Sequence, residues 1–408
     1  MDYRGKALKL HSENQGKIEI TSKIKLKTKD DLSLAYTPGV AEPCKEIYKN
    51  VEMAYKYTTK GNMVAIITDG SAVLGLGNIG AEAALPVMEG KSVLFKHFSG
   101  LDAFPICLKT QNVDDIVKTI KILEPVFGGI NVEDISAPRC FYIEERLKRE
   151  VNIPVFHDDQ HGTAIVVIAG LFNAVKVSGK DLTGLKVVIN GAGAAGIAII
   201  KLLIYLGVKE IILCDSSGII YPGRPNGMNV FKEDIAQLIK ANTSGTLADA
   251  LKGADVFIGV SVAGVVTRQM LGLMNKDPFI LALANPVPEI MPDEAWEAGA
   301  SIVATGRSDF PNQINNVLAF PGVLKGAMEV RAVDINKEMK ISAARAIAGL
   351  ISEKDLSTRY IIPDVFNARV SPSVAAAVAE AAIKTGVARK EIDPKTVHER
   401  TKQVISLE

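Results

Sequence analysis

The sequence predicts an α/β fold, two parallel-sheet domains followed by a helical C-terminal segment. Three observations lead there. Short runs rich in β-branched residues alternate with helical patterns along most of the chain. A length of 408 residues exceeds what one ordinary core organises, so two domains are expected. Toward the C-terminus the strand candidates stop, and INKEMKISAARAIAGLIS and SPSVAAAVAEAAIKTG read as Ala-rich helices.

The strand candidates are, in order, MVAIIT (63–68), AFPICL (103–108), NIPVF (152–156), LKVVIN (185–190), EIILCD (210–215), DVFIGV (255–260), FILALAN (279–285) and SIVAT (301–305). Helical stretches such as VDDIVKTIKILEPVF and GIAIIKLLIYLG fall between them. No repeat or low-complexity linker marks a border. The motifs place one near residue 160, giving domains 1–160 and 161–408.

Composition narrows the function classes. Hydrophobic content of 48%, charged content of 23% and a single Trp describe a soluble globular protein. A net charge of +1 without a basic run predicts no nucleic-acid partner and no anionic membrane. Cys44, Cys107, Cys140 and Cys214 are scattered and form no C-x-x-C pair, as expected of reduced thiols in a cytoplasmic protein. The N-terminus MDYRGKALKLHSENQGK is polar, so no secretory signal is expected. Asn173, Lys176, Asn190 and Lys201 interrupt the most apolar stretches, so no transmembrane helix is expected either.

The pattern G-x-G-x-x-G occurs at 75–80 (GLGNIG) and at 191–196 (GAGAAG). Context separates them. LKVVIN runs directly into Gly191, a proline-free helix is expected over 194–206, and Asp215 closes the next strand. That is the arrangement of a Rossmann-type dinucleotide site, with Gly191, Ala192, Gly193, Ala194, Ala195 and Gly196 around the pyrophosphate and Asp215 at the ribose. At GLGNIG the polar TDGS intervenes and Pro86 is expected to interrupt the following turns, so it reads as a flexible bend near substrate. Ser261, Asn285 and Thr305 each end a later strand, where such sheets bind their ligands, and each alone could be a turn residue.

HDDQH (157–161) resembles a zinc motif, with two histidines four apart. It follows NIPVF and precedes Gly162–Thr163, so it is expected at a strand-to-helix turn with Thr163 as cap. The continuous helix a zinc pair needs is then missing, and His11, His97 and His398 offer no third ligand. Glu133, Asp134, Asp158 and Asp159 at strand ends instead form an all-oxygen set suited to Mg²⁺ or Mn²⁺, although surface acids are common. Lys91, flanked by apolar residues in MEGKSVLFKHF, is a candidate base by desolvation, or simply a lysine lying on apolar surface. Lys96 falls on another face and reads as solvated. Tyr36, before the Thr-Pro-Gly turn of YTPGVA, reads by itself as a core aromatic.

Taken together the motifs resemble the malic enzymes, the metal-dependent NAD(P)-linked decarboxylating malate dehydrogenases, in their compact bacterial form. The carrying stretches are YTPGVA, TDGSAVLGLGNIG, EGKSVLF, NVEDI, HDDQHGTA, GAGAAG, DSSG, ANP and QINNVLAFPG, in order over residues 36–322. The resemblance implies Glu133, Asp134 and Asp159 as metal ligands, Lys91 as general base and Tyr36 as general acid. It implies Asp158 as a support for Lys91, with Ser71, Asn285 and Asn316 or Asn315 as substrate contacts. It also implies L-malate and pyruvate as ligands, a homodimer, and NAD or NADP as coenzyme. Asp215 favours NAD, because it would repel a 2′-phosphate, unless Arg224 or Lys232 offsets it. One departure stands out: where larger members carry a carboxylate-gripping arginine, this chain has Ala72. Two rivals remain, an oxaloacetate decarboxylase without a redox step and a non-catalytic dinucleotide sensor.

Overall fold

The computed structural model describes residues 3–405. Among these residues ten strands form two sheets, numbered in chain order. The first sheet contains β1 (Met63–Thr68), β2 (Asp102–Cys107), β3 (Gly129–Val132) and β4 (Val155–His157), ordered β2-β1-β3-β4 and wholly parallel. The second contains β5 (Lys186–Asn190), β6 (Glu210–Asp215), β7 (Gly218–Ile219), β8 (Val256–Gly259), β9 (Phe279–Ala282) and β10 (Ile302–Thr305). Its order is β10-β9-β8-β5-β6-β7, parallel except for the β6–β7 pair. The predicted α/β class with a Rossmann-type sheet is therefore observed.

Side-chain alternation builds the second sheet's two faces. Val187, Ile189, Val256, Ile258, Phe279 and Leu281 point into the core shared with the first sheet. Their in-between neighbours Val188, Phe257 and Ile280 enter a separate apolar cluster on the other face. A sheet buried on both sides needs such continuous apolar runs.

Three expectations are corrected. β3 is not among the predicted strands, because GG followed by only four residues reads as a turn. Gly128 is there for a packing reason: a Cβ would fall 2.3 Å from the carbonyl oxygen of Lys60. Pro86 does not interrupt its segment, since it lies inside the helix Ala81–Ser99. Pro86 forfeits one interior hydrogen bond, to the Glu82 carbonyl, but Ala81, Ala84, Met88, Lys91 and Phe95 hold one face buried and keep the helix continuous. The helix after β4 starts at Asp158, not at Thr163, and runs unbroken to Ser178 with His157 as its N-cap residue.

The helix Asp158–Ser178 is long and apolar enough by composition to span a bilayer, but most of it is buried inside the protein. The helices Ala194–Tyr205 and Lys337–Ala348 pack along it. The later helices Phe320–Glu329, Val370–Lys384 and Pro394–Ile405 contact Ala81–Ser99, covering the first sheet's helical layer. By contrast, the N-terminal helices Tyr3–Asn14, Lys29–Ala35 and Ala41–Lys49 bury no residue.

Candidate active site

Strand register assembles the acids. Ile67 of β1 stands beside Val132 of β3, and Val132 beside His157 of β4. The residues leaving β3 and β4, Glu133–Asp134 and Asp158–Asp159, therefore emerge together at one sheet edge. One oxygen each from Glu133, Asp134 and Asp159 lies within 4.8 Å of the others. Asp134 adopts φ +52°, a left-handed conformation costly for a non-glycine residue, and its N–H donates to Asp159 Oδ2 at 2.8 Å. Asp134 Oδ2 and Asp158 Oδ1 are buried without a hydrogen-bond partner. Burial, reinforced by mutual repulsion, pushes Glu133, Asp134 and Asp159 above the ordinary carboxylate range, against the pull of Lys91. Asp158 rises to about 6, chiefly by burial. Crowded, under-paired hard oxygens fit a divalent cation such as Mg²⁺ or Mn²⁺.

Lys91 sits between two of these acids, its Nζ 2.7 Å from Asp158 Oδ2 and 3.0 Å from Glu133 Oε1. The ring of Phe320 lies beneath it, 4.2 Å from Nζ to the centroid. Desolvation does not set the charge of this lysine. Burial does disfavour the ammonium, yet Asp158 and Glu133 outweigh it and hold the lysine well above its ordinary value. Lys91 is thus a charged member of an acid cluster rather than a neutral amine in an apolar pocket. Lys96 is half exposed and pairs with Asp102, as expected of a solvated lysine.

The histidines of HDDQH share the first helical turn with the aspartates but do not converge. His157 is fully buried with neither ring nitrogen hydrogen-bonded, and burial lowers it to about 4. His161 Nε2 is 2.6 Å from Glu144 Oε1 on the helix Arg139–Glu150. Glu144 also accepts from Gln160 and pairs with Lys148 at 2.8 Å. That buried carboxylate clamps the turn bearing Asp158 and Asp159, a role sequence reading missed because Glu144 lies in an ordinary amphipathic helix. Gly162 closes the same turn, since a Cβ there would fall 1.8 Å from Asp158 Oδ1.

The other sheet edge is built differently. Gly191 has φ +122°, and a Cβ on it would lie 2.3 Å from the Val260 carbonyl oxygen. At Gly193, the N-cap of Ala194–Tyr205, nothing stands within 4 Å, leaving the helix N-terminus open. A Cβ on Gly196 would lie 1.9 Å from the Gly191 carbonyl oxygen, so the helix packs tightly on its own turn. These are the three glycine roles of a dinucleotide cradle. Asp215 closes β6 and is gripped by Arg224 (Nη1 at 2.8 Å) and Lys232 (2.7 Å). Those donors overcome burial and hold its carboxyl down at about 2. Ser261 follows β8, and its hydroxyl accepts from Asn190 at 2.9 Å.

The remaining candidates divide. Asn316 Nδ2 donates to Asp158, whereas Asn315 Oδ1 accepts from Val317 N–H and caps its own short helix. Of the two alternatives, Asn316 is the one brought to the acids. Asn285 is exposed, and the Gly75 of GLGNIG comes up to it, a Cβ there being 3.3 Å from the Asn285 carbonyl oxygen. Ser71 Oγ accepts from Ser136 N–H, and Ala72 N–H donates to the Asp134 carbonyl, so this turn braces the Asp134 loop. A cation is present on this side too: Arg139 donates to the buried Asp69 at 3.0 Å. Tyr36 is not a core aromatic. It is 67% exposed, at the C-terminal cap of the helix Lys29–Ala35.

Residues 15–148 match the family described as malic enzyme, N-terminal domain, and residues 160–383 match malic enzyme, NAD binding domain. The bifunctional malic/malolactic enzyme of Bacillus subtilis is 63% identical, with 99% of each chain covered. The NAD-dependent malic enzyme of Geobacillus stearothermophilus is 54% identical over 93% of this chain and 79% of its own. The crystal structure of malic enzyme from Pyrococcus horikoshii superposes with a TM-score of 0.95 at 48% identity, covering 99% of this chain and 96% of that one. With both halves matched and the whole fold shared, this chain belongs to the malic enzyme family.

Proposed function

We propose that this protein oxidises and decarboxylates L-malate to pyruvate and CO₂ while reducing NAD⁺ or NADP⁺. The observation that carries the reading is Lys91 held between Asp158 and Glu133 beside three converging carboxylates. A divalent cation on Glu133, Asp134 and Asp159 would polarise the C2 oxygen of malate, and the coenzyme would accept the C2 hydride. Lys91 Nζ handles the proton of the 2-hydroxyl, passing its own to Asp158 Oδ2 at 2.7 Å. Asn316 and Glu133 fix the Asp158–Lys91 pair, and Asn285 and Ser71 line the substrate side. Tyr36 protonates C3 after CO₂ departs. The acid cluster belongs to residues 1–160 and the coenzyme cradle to residues 161–408.

Tyr36 is 67% exposed, and a second copy of the chain would cover it and the surface around it. It stands on an N-terminal segment that exposes Ile20, Ile24, Leu26, Leu34 and Tyr48, an apolar surface a lone chain would leave in water. A homodimer in the cytoplasm, with free thiols at all four cysteines, completes the reading.

The test is direct: purified protein with L-malate, Mn²⁺, and NAD⁺ or NADP⁺ in turn, following coenzyme reduction and CO₂ release. Coupled appearance of both is expected. Decarboxylation of oxaloacetate without any malate-dependent reduction would return the lyase alternative, which leaves Gly191, Gly193, Gly196 and Asp215 without a task. Because the Bacillus subtilis relative is named bifunctional, lactate should be assayed among the products.

A further inference from the structure

Glu289 is fully buried and carries no role so far. Its Oε1 accepts from the Ser261 N–H at 2.8 Å and from the Ser261 hydroxyl at 2.9 Å. Its Oε2 accepts from the Ala284 N–H at 3.0 Å. Among the described residues no cation pairs with it. A buried carboxylate without a cation is costly unless neutral donors satisfy it, and here three do. What those donors belong to gives the site its meaning. Ser261 follows β8 and is the expected coenzyme contact, while Ala284 directly precedes Asn285, the expected substrate contact. Gly259, the last residue of β8, makes room: a Cβ there would lie 2.3 Å from the Glu289 carboxyl carbon. Asn190, the last residue of β5, reaches the same Ser261 hydroxyl, so one hydrogen-bonded chain spans three strand ends.

We infer that Glu289 is a positioning residue that sets the coenzyme against the substrate by holding Ser261 and the Asn285 turn in one register. The inference rests on the malate reading for its substrate half, but its coenzyme half stands without it. A plain structural brace would cost stability alone, whereas a positioning residue changes the affinity of folded protein for coenzyme.

Two variants of the full chain test this. Glu289→Gln keeps the volume but turns an NH₂ toward a donor. Gly259→Ala displaces the carboxylate without altering any residue expected to touch a ligand. Each is compared with wild type for NADH binding by fluorescence, for Mn²⁺ binding, for melting temperature and for steady-state kinetics. Losing one charge-assisted hydrogen bond is expected to weaken NADH binding about tenfold or more in both variants. The coenzyme KM should rise and kcat should fall, with Mn²⁺ binding unchanged. If Glu289→Gln does not fold, Gly259→Ala carries the same comparison. Folded variants with wild-type NADH affinity and kcat would overturn the inference, and so would parallel loss of NADH and Mn²⁺ binding. A wild-type protein that binds NADH but does not oxidise malate would sink the malate reading and leave the binding comparison standing.

Discussion

The two sheets present the same kind of edge, level carboxyl ends of parallel strands, and charge it in opposite ways. At the first edge four carboxylates share one lysine, and burial with repulsion drives them toward protonation. At the second, Asp215 has two cations to itself and is held down at about 2. The first is an unfinished charge set that a divalent ion would complete. The second is already balanced and offers a diphosphate open backbone at Gly193. Substitutions should therefore be severe at the first edge and graded at the second.

The largest effects are expected from Lys91→Ala, Asp159→Asn and Glu133→Gln. Loss of the proton-handling group should cost roughly 10²–10⁴-fold in kcat. All three should still bind NADH, because the Gly191–Gly196 turn is untouched. His157→Ala and His161→Ala should keep their dependence on Mn²⁺. Histidine variants that lost the ion while the carboxylate variants kept it would reverse the comparison. Tyr36→Phe should match Lys91→Ala in overall turnover yet differ in partial reactions. Reduction of pyruvate needs proton transfer at oxygen but none at C3, so Tyr36→Phe should retain it far better. Equal failure of both in that assay would mean that the roles of Tyr36 and Lys91 are not divided this way.

Acidity separates the edges next. Without metal, burial and mutual repulsion raise Asp134 and Glu133 above the ordinary carboxylate range, so protons compete for both sites. A metal must displace those protons, so Mn²⁺ binding should release them. Its affinity should fall as pH drops, about tenfold per unit for each proton displaced. Asp215 stays ionised near neutral pH, so NADH affinity should be flat from pH 6 to 8. Calorimetry in buffers of different ionisation enthalpy counts the protons. Binding of Mn²⁺ without proton release would contradict the raised values.

The strands other than β3 and β7, and the coenzyme turn, were legible because periodicity and glycine placement are local properties. HDDQH was legible as chemistry but not as structure: the helix was expected at Thr163 because Gly162 reads as a breaker. Here Gly162 is required by Asp158 inside the first turn. The state of Lys91 was not legible at all. Its neighbours in sequence are apolar, and the acids that keep it charged come from strands elsewhere in the chain. Glu144 and Glu289 were silent for the same reason, each an ordinary acid until packing delivers its donors.

At the second edge a smaller change is expected. Asp215→Asn releases Arg224 and Lys232 from their ion pairs and removes repulsion of a 2′-phosphate. The ratio of kcat/KM values should shift toward NADP⁺, by about tenfold for one new charge-assisted hydrogen bond to that phosphate. An unchanged ratio would show that Asp215 does not read the ribose.

The smallest effect tests two adjacent asparagines that the sequence left interchangeable. Asn315 satisfies the Val317 N–H, the office of a helix cap. Its replacement by alanine should cost about 0.5–2 kcal/mol of stability, read as an earlier urea midpoint with an unchanged slope. Asn316 instead donates to Asp158, the partner of Lys91. Asn316→Ala leaves the cap intact but frees Asp158 Oδ2 to turn, so the malate KM should rise and the urea midpoint move less. The pair thus separates stability from catalysis across a single peptide bond. If Asn315→Ala raised the malate KM while Asn316→Ala did not, the substrate contact would belong to Asn315, and the hydrogen bond from Asn316 to Asp158 would be structural only.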